Sequence, residues 1–348
     1  MQTIIRKVDE NCIDEKIMKE AGNLLKAGAL VAFPTETVYG LGANALDAEA
    51  AAKIYSAKGR PSDNPLIIHI ADMDKLPMIT KEIPEEAFKL AERFWPGPLT
   101  IVLKKSEAVP YGTTGGLDTV AVRMPSHPIA LELIRHGGGY VAAPSANTSG
   151  RPSPTSAAHV AEDMDGIIPM ILDGGAVGIG IESTIVDLTD EIPTILRPGF
   201  ITKEMLEEAV GKVEIDKGLS ADSKAAPKAP GMKYRHYAPK AELVIVEGVR
   251  EAVVAKINEL TSENEAKGIS TGIIGTEETV SQYKNGIVKS MGTRSDELSI
   301  SSHLYGILRE FDESDAKVIY SESFEEGAMG SAIMNRLLKA AGHRMIHV

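Results

Sequence analysis

Cysteine is nearly missing from this 348-residue chain, with Cys12 its only one. No intramolecular disulfide can form, which suits a reducing compartment, and a zinc site of clustered cysteines is excluded. Aromatic residues make up 5% and tryptophan occurs once, at Trp95. Basic residues are in deficit, 37 Lys and Arg against 49 Asp and Glu, for a net charge of −12. No global basic field draws nucleic acid, so any anion must be held by local clusters. Long apolar runs are also missing, and Met1 to Glu10 mixes charges without a hydrophobic signal core. A cytoplasmic protein without a membrane span is therefore expected. Gly-x-x-x-x-Gly-Lys-Ser/Thr and His-Glu-x-x-His do not occur, and no Ser/His/Asp arrangement suggests a covalent acyl-enzyme.

What is present is an ordinary globular composition, 43% hydrophobic and 25% charged, over a length that suits two domains. Residues 1–212 alternate helical and strand-like stretches. Helical spacing runs from Ile13 to Leu25, strands are expected at Ala29–Phe33, Pro65–Ala71, Leu99–Leu103, Thr119–Met124 and Tyr140–Ala143, and more follow between Ile167 and Leu196. Asp47 and Thr155 are expected as N-caps, Pro84 as a first helical residue, and Tyr39–Gly42 as a turn. Residues 213–240 read as a linker of lysine, alanine and proline. Its segment Gly231–Pro239, with two tyrosines, a histidine, an arginine and a lysine, suits a stretch that folds back over a site. Residues 241–348 alternate short apolar strands (243–246, 271–274, 287–290, 318–320) with helices, which predicts a small Rossmann-like parallel sheet. Gly-x-Gly-x-x-Gly does not follow its first strand, so a dinucleotide site is not expected.

Chemistry concentrates in the first 212 residues. Pro34-Thr35-Glu36-Thr37 follows a buried strand, and taken alone it reads equally as a capped turn or as a ligand wall. Pro144-Ser145-Ala146-Asn147-Thr148-Ser149 repeats the pattern, which suggests two walls of one small-molecule crevice. Lys58 and Arg60 precede Ser62, Asp63 and Asn64; a mobile cation plus a planar fork suits polyphosphate, although a cationic helix end would look the same. His69 in an apolar strand is by default a core histidine, of interest only if its strand neighbours the opening one. Arg123 shares a face with Thr119 and Ala121. Glu182-Ser183-Thr184 and Arg197 add hydroxyls and another cation. Many neutral hydrogen-bonders, dispersed cations and few bases suit a site that positions a charged, phosphorylated substrate.

Pro34–Leu41, Lys58–Leu66, Trp95–Thr100, Val122–Pro125, Ala143–Gly150, Glu182–Thr184 and Leu196–Gly199, in unbroken order, resemble the threonylcarbamoyl-AMP synthase family, the YrdC-like proteins. His236-Tyr237-Ala238-Pro239 before a second domain resembles the family's long form. The resemblance implies an α/β fold, a YrdC-like twisted mixed sheet with flanking helices plus the smaller Rossmann-like domain. It implies a nucleotidyltransferase that makes threonylcarbamoyl-AMP and pyrophosphate from L-threonine, bicarbonate or CO2, and ATP. The product would serve separate tRNA threonylcarbamoyl transferase proteins acting on adenosine 37, and direct tRNA binding is not expected. By the same resemblance, Thr37, His69, Arg123, Ser145 and Ser183 hold threonine. Lys58, Arg60, Asn64, Thr119, Ala143, Asn147, Thr155, Arg197 and Tyr237 hold ATP, with Lys58 and Arg60 on the phosphates and Tyr237 closing over the nucleotide. Mg2+ would arrive with ATP, and no organic cofactor is implied. Two other readings are an RNA-binding module of the same fold, disfavoured by the charge, and a carbamoyl-transfer enzyme of hydrogenase maturation, disfavoured by the single cysteine. Glu36 is left with three open roles: a base, a magnesium neighbour or a buttress for the turn.

Overall fold

The structure, a computed structural model, describes residues 2–217, 237–324 and 327–348. Most of the anticipated linker, Gly231–His236 included, lies outside the described residues. Two compact units result, one of Met1–Ser149, Ser153–Gly178 and Glu182–Lys233, the other of Gly150–Pro152, Ile179–Ile181 and Tyr234–Val348.

The first unit carries an 11-stranded mixed sheet. Its strands in chain order are β1 (Ile4–Lys7), β2 (Val31–Phe33), β3 (Gly40–Asn44), β4 (Ile67–His69), β5 (Leu99–Lys104) and β6 (Thr119–Arg123). They continue as β7 (Val141–Ala142), β8 (Met170–Asp173), β9 (Thr184–Asp187), β10 (Thr194–Arg197) and β11 (Glu214–Ile215). The spatial order is β1-β8-β2-β3-β7-β4-β6-β5-β9-β10-β11. Interior strands such as Leu99–Leu103 are buried residue after residue, the pattern of a strand covered on both faces. The edge strands β1 and β11, each paired on one side only, have no such run and escape sequence reading.

Local rules explain the helices that frame the sheet. Asp47 accepts from the Glu49 and Ala50 amides and Gly59 ends the helix Ala48–Lys58 with φ 59°, as expected of an Asx cap and a left-handed stop. Two expectations shift by one residue: Ser156 caps Ala157–Met164 in place of Thr155, and Pro84 stands just before Glu85–Phe94.

The expected turn at Tyr39–Gly42 is instead the start of β3, paired antiparallel with β2 through Phe33 and Gly40. Neither glycine takes a positive φ. A Cβ on Gly42 would meet Phe33 Cε1 and Val141 Cγ1 at 3.0 Å, so glycine here makes room for the Phe33 ring.

The second unit holds a five-stranded parallel sheet of β12 (Glu242–Glu247), β13 (Thr271–Gly275), β14 (Ile287–Ser290), β15 (Val318–Glu322) and β16 (Met345–His347), in the order β14-β13-β15-β12-β16. At the carboxyl ends of β12 and β15 lies a cavity of about 440 Å³ bordered by Glu247, Arg250, Arg294 and Glu322. Among the described residues, no helix is long and apolar enough to cross a membrane.

Close helix packing in the first unit yields a stability test. A Cβ on Gly22, in the helix Glu15–Lys26, would lie 2.5 Å from the His136 carbonyl carbon and oxygen. Alanine's better helix propensity is worth about 1 kcal/mol, whereas overpacking against immovable backbone costs about 1–3 kcal/mol. Gly22→Ala is therefore expected to lower the denaturant midpoint with the m-value unchanged. An unchanged or raised midpoint would refute the close contact.

Candidate active site

The site is built on one face of β4, β6 and β5. Register places His69 opposite Arg123 and Arg123 opposite Thr100, so these three side chains form a polar row. The next row on that face is Ile67, Ala121 and Val102, which pack with Ile185 and Leu196. Two residues further on stands Thr119. Four residues of strand separate Thr119 from Arg123, roughly 13 Å along a surface with an apolar middle and polar ends.

Arg123 is 4% exposed and lies inside the sheet between β4 and β5, not at a solvated edge. Its Nη1 donates to the Thr37 hydroxyl at 2.9 Å and its Nε to the Gly97 carbonyl at 3.4 Å. The Thr35 hydroxyl donates to the Val38 carbonyl at 2.6 Å, so its single proton is committed. Thr37, 2.9 Å away, must then donate to Thr35. The turn after β2 is thus wired to the guanidinium by a one-way chain from Arg123 through Thr37 and Thr35 to Val38. Glu36 Oε1 approaches Arg123 Nη2 at 2.7 Å as a buried ion pair. That contact lacks hydrogen-bond geometry, and Nη2 and both Glu36 oxygens have no hydrogen-bond partner among the described residues.

His69 sits beside this pair. Its Nδ1 lies 3.2 Å from the Ile67 carbonyl and so carries the proton. Burial, reinforced by the Arg123 charge, pushes its pKa down to about 3, so the ring is neutral at physiological pH. Its strand does not adjoin the opening one, since β3 and β7 intervene. The Phe33 ring nevertheless meets it edge-on at 6.3 Å.

The two proline-led loops do form adjoining walls. The Leu41 amide donates to the Pro144 carbonyl at 2.8 Å, the Ala146 amide to the Tyr39 carbonyl at 2.8 Å, and Gly40 bridges to Ser145. Lys58, 2% exposed, ties the helix Ala48–Lys58 to the second wall. Its Nζ donates to the Ser145 and Asn147 carbonyls at 2.5 Å and reaches Asn147 Oδ1 at 3.4 Å. Arg60 Nη2 donates to the Asn64 and Pro65 carbonyls at 3.2 Å, while buried Asn64 Oδ1 has no partner among the described residues. Ala143 donates its amide to the Ile67 carbonyl.

A third group closes the row. Ser183 and Thr100 hydroxyls are 2.8 Å apart, and Arg197 donates to the Ser183 carbonyl at 3.0 Å and its hydroxyl at 3.2 Å. The residues expected to act together therefore fall into three joined clusters: Thr37, Arg123 and His69; Lys58, Ser145 and Asn147; Ser183 and Arg197. Thr155 meets His159 through its amide and its hydroxyl, both at 3.3 Å, and its carbonyl accepts from the Val177 amide at 3.0 Å. Tyr237 belongs to the second unit, where it is buried with φ 64° and its ring centroid lies 5.0 Å from that of Tyr305. Sequence reading missed two participants. Thr100 is detectable only by its register with Arg123, and Glu36 only by its ion pair.

Comparison with known proteins covers nearly the whole chain. One family model, described as Telomere recombination, matches residues 23–199, and a second, Threonylcarbamoyl-AMP synthase, C-terminal domain, matches residues 201–342. A Pyrococcus abyssi protein named threonylcarbamoyl-AMP synthase is 53% identical over 346 residues, 99% of this chain and 100% of that one. A Bacillus subtilis protein of the same name is 52% identical over 339 residues, 97% and 96% of the two chains. The crystal structure of Pyrococcus abyssi Sua5 complexed with L-threonine matches with a TM-score of 0.95 at 52% identity, covering 99% of this chain and 100% of that chain.

Two expectations follow from the wiring. The unfolded chain binds a proton at His69 below its ordinary pKa of 6.5 and the folded chain does not until about 3, so this residue makes stability fall as pH drops through that window. His69→Gln should flatten the difference in urea-unfolding free energy between pH 6.5 and 4; an identical slope refutes the neutral buried ring. Lys58→Met strands loop carbonyls without a donor and should cost about 2–4 kcal/mol of unfolding free energy. Wild-type stability in that variant would remove Lys58 as the tie between helix and wall.

Proposed function

This chain belongs to the threonylcarbamoyl-AMP synthase family, and from that premise we propose how its crevice joins L-threonine, bicarbonate or CO2, and ATP into threonylcarbamoyl-AMP and pyrophosphate. The observation that carries the assignment is the two-ended sheet face. Arg123, Thr37 and His69 stand at one end and Thr119 at the other, about 13 Å apart, a spacing that suits an amino acid and a nucleoside phosphate laid end to end.

Threonine takes the Arg123 end, its carboxylate on the guanidinium, with Thr37, His69, Ser145 and Ser183 around it. His69, being neutral, adds a hydrogen-bonding group without a second positive charge. ATP takes the other end and the two walls, held by Arg60, Asn64, Thr119, Ala143, Asn147, Thr155 and Arg197. Arg60 supplies the planar fork for phosphate oxygens. Lys58, whose ammonium is committed to the Ser145–Asn147 loop, acts by holding the phosphate-facing wall in shape.

Threonine's nitrogen, as the free amine, attacks the carbon of CO2, or of bicarbonate with loss of water, giving a carbamate and a proton, and a carbamate oxygen then displaces pyrophosphate from the α-phosphorus. Such transfers depend on alignment and charge neutralisation more than on covalent help, which fits a site rich in hydroxyls and guanidiniums. Among the described residues, no group of three or more His, Cys, Asp or Glu could hold a metal. Mg2+ would therefore be held by the nucleotide's phosphates and water, neutralising their charge. We further propose a cytoplasmic enzyme that passes its product to a separate tRNA-modifying transferase.

Arg60→Ala should abolish pyrophosphate release that depends on threonine and bicarbonate while leaving the fold intact. Near-normal turnover in that variant would rule out its phosphate role, and pyrophosphate release by the wild type without an amino acid would overturn the reaction.

A further inference from the structure

The substrate reading leaves one charge unmatched. Free threonine is a zwitterion, yet none of Thr37, His69, Arg123, Ser145 and Ser183 carries a negative charge, and His69 is neutral. Burying an ammonium without a counter-charge is costly, because the desolvation of an ion is repaid only by pairing and hydrogen bonds. From the Thr35–Thr37 turn, Glu36 presents a carboxylate 14% exposed whose two oxygens have no hydrogen-bond partner among the described residues. Both oxygens can accept, and Oε1 already lies 2.7 Å from the guanidinium that would receive the substrate carboxylate. The groups facing Glu36 are Arg123 from β6 and His127 from the stretch after it, whose charge interaction with Glu36 is the weaker effect of burial and Glu10 beside it. The other nearby motif carboxylate, Glu182, is engaged by the Ser153 hydroxyl at 2.6 Å.

We infer that Glu36 is a substrate-binding residue that receives the α-ammonium of the amino acid. A guanidinium and a carboxylate in direct contact are the complement of an ammonium and a carboxylate on one carbon. Without substrate, Glu36 neutralises Arg123. When the amino acid enters, its carboxylate takes the guanidinium and its ammonium takes Glu36, so that four charges form two pairs and the buried site stays neutral. The contact also aims the nitrogen that attacks carbon once the ammonium has given up a proton. This inference rests on the assignment of threonine to the Arg123 end.

The test compares L-threonine with 3-hydroxybutyrate, which is threonine without its amino group, by calorimetric titration of the full chain. Loss of a charge-assisted hydrogen bond should make Glu36→Gln bind threonine roughly ten- to a hundred-fold more weakly. The same variant should bind 3-hydroxybutyrate as well as or better than wild type, since Arg123 is released from its internal carboxylate. Glu36→Asp, which keeps the charge, should retain the preference for threonine and guards against a folding defect in the glutamine variant. Equal weakening of both ligands would make Glu36 a mere buttress of Arg123, and unchanged affinity for both would remove it from the site; either result overturns the inference. If wild type binds threonine but Arg123→Lys binds it equally well, the assignment of the Arg123 end fails first, and the role of Glu36 falls with it.

Discussion

A guanidinium buried inside a β-sheet is the constraint around which this site is arranged. Arg123 is 4% exposed on a central strand, where a lone cation would cost several kcal/mol. The surrounding chain supplies what the charge needs: the Thr37 hydroxyl, the Gly97 carbonyl and the Glu36 carboxylate. They come from two separate segments, so satisfying one cation fixes the turn after β2 and the loop before β5 against β6. The same charge helps keep His69 neutral. Its Nη2 and the Glu36 oxygens remain without hydrogen bonds among the described residues, so the network is complete in charge but not in hydrogen bonding, the condition in which a polar ligand gains most.

Charge of opposite origin shapes the other end. The Lys58 ammonium donates to the Ser145 and Asn147 carbonyls and so ties the helix Ala48–Lys58 to the second wall. Arg60 is likewise bonded to backbone, its Nη2 donating to the Asn64 and Pro65 carbonyls. Two cations two residues apart thus tie different stretches of backbone, one as a compact ammonium and the other as a planar fork.

The family assignment covers the stretch of chain that carries these residues. The two family models together span residues 23–199 and 201–342, and relatives of more than 50% identity extend over nearly the whole chain. Neither the RNA-module reading nor the hydrogenase-maturation reading gains a comparable observation. The second unit, with its parallel sheet and the cavity at the ends of β12 and β15, has a layout associated with ligand crevices in open α/β sheets.

Much of this was legible from the residues alone. Apolar runs located the interior strands, Asp47 and Gly59 bounded a helix, and the repeated Pro-hydroxyl loops announced two walls, because these signals depend on neighbours in the chain. Other features depended on neighbours in space. Gly40 and Gly42 looked like turn formers, and only the Phe33 ring explains their place in a strand. Read from its strand alone, His69 looked like a core histidine, and its register sets it beside Arg123. Glu36 stood in a candidate ligand wall, but nothing local assigned it a partner. Burial converted it from one acidic residue among 49 into the partner of a sheet-bound cation, since the worth of a charge is set by what surrounds it and chain order does not record that.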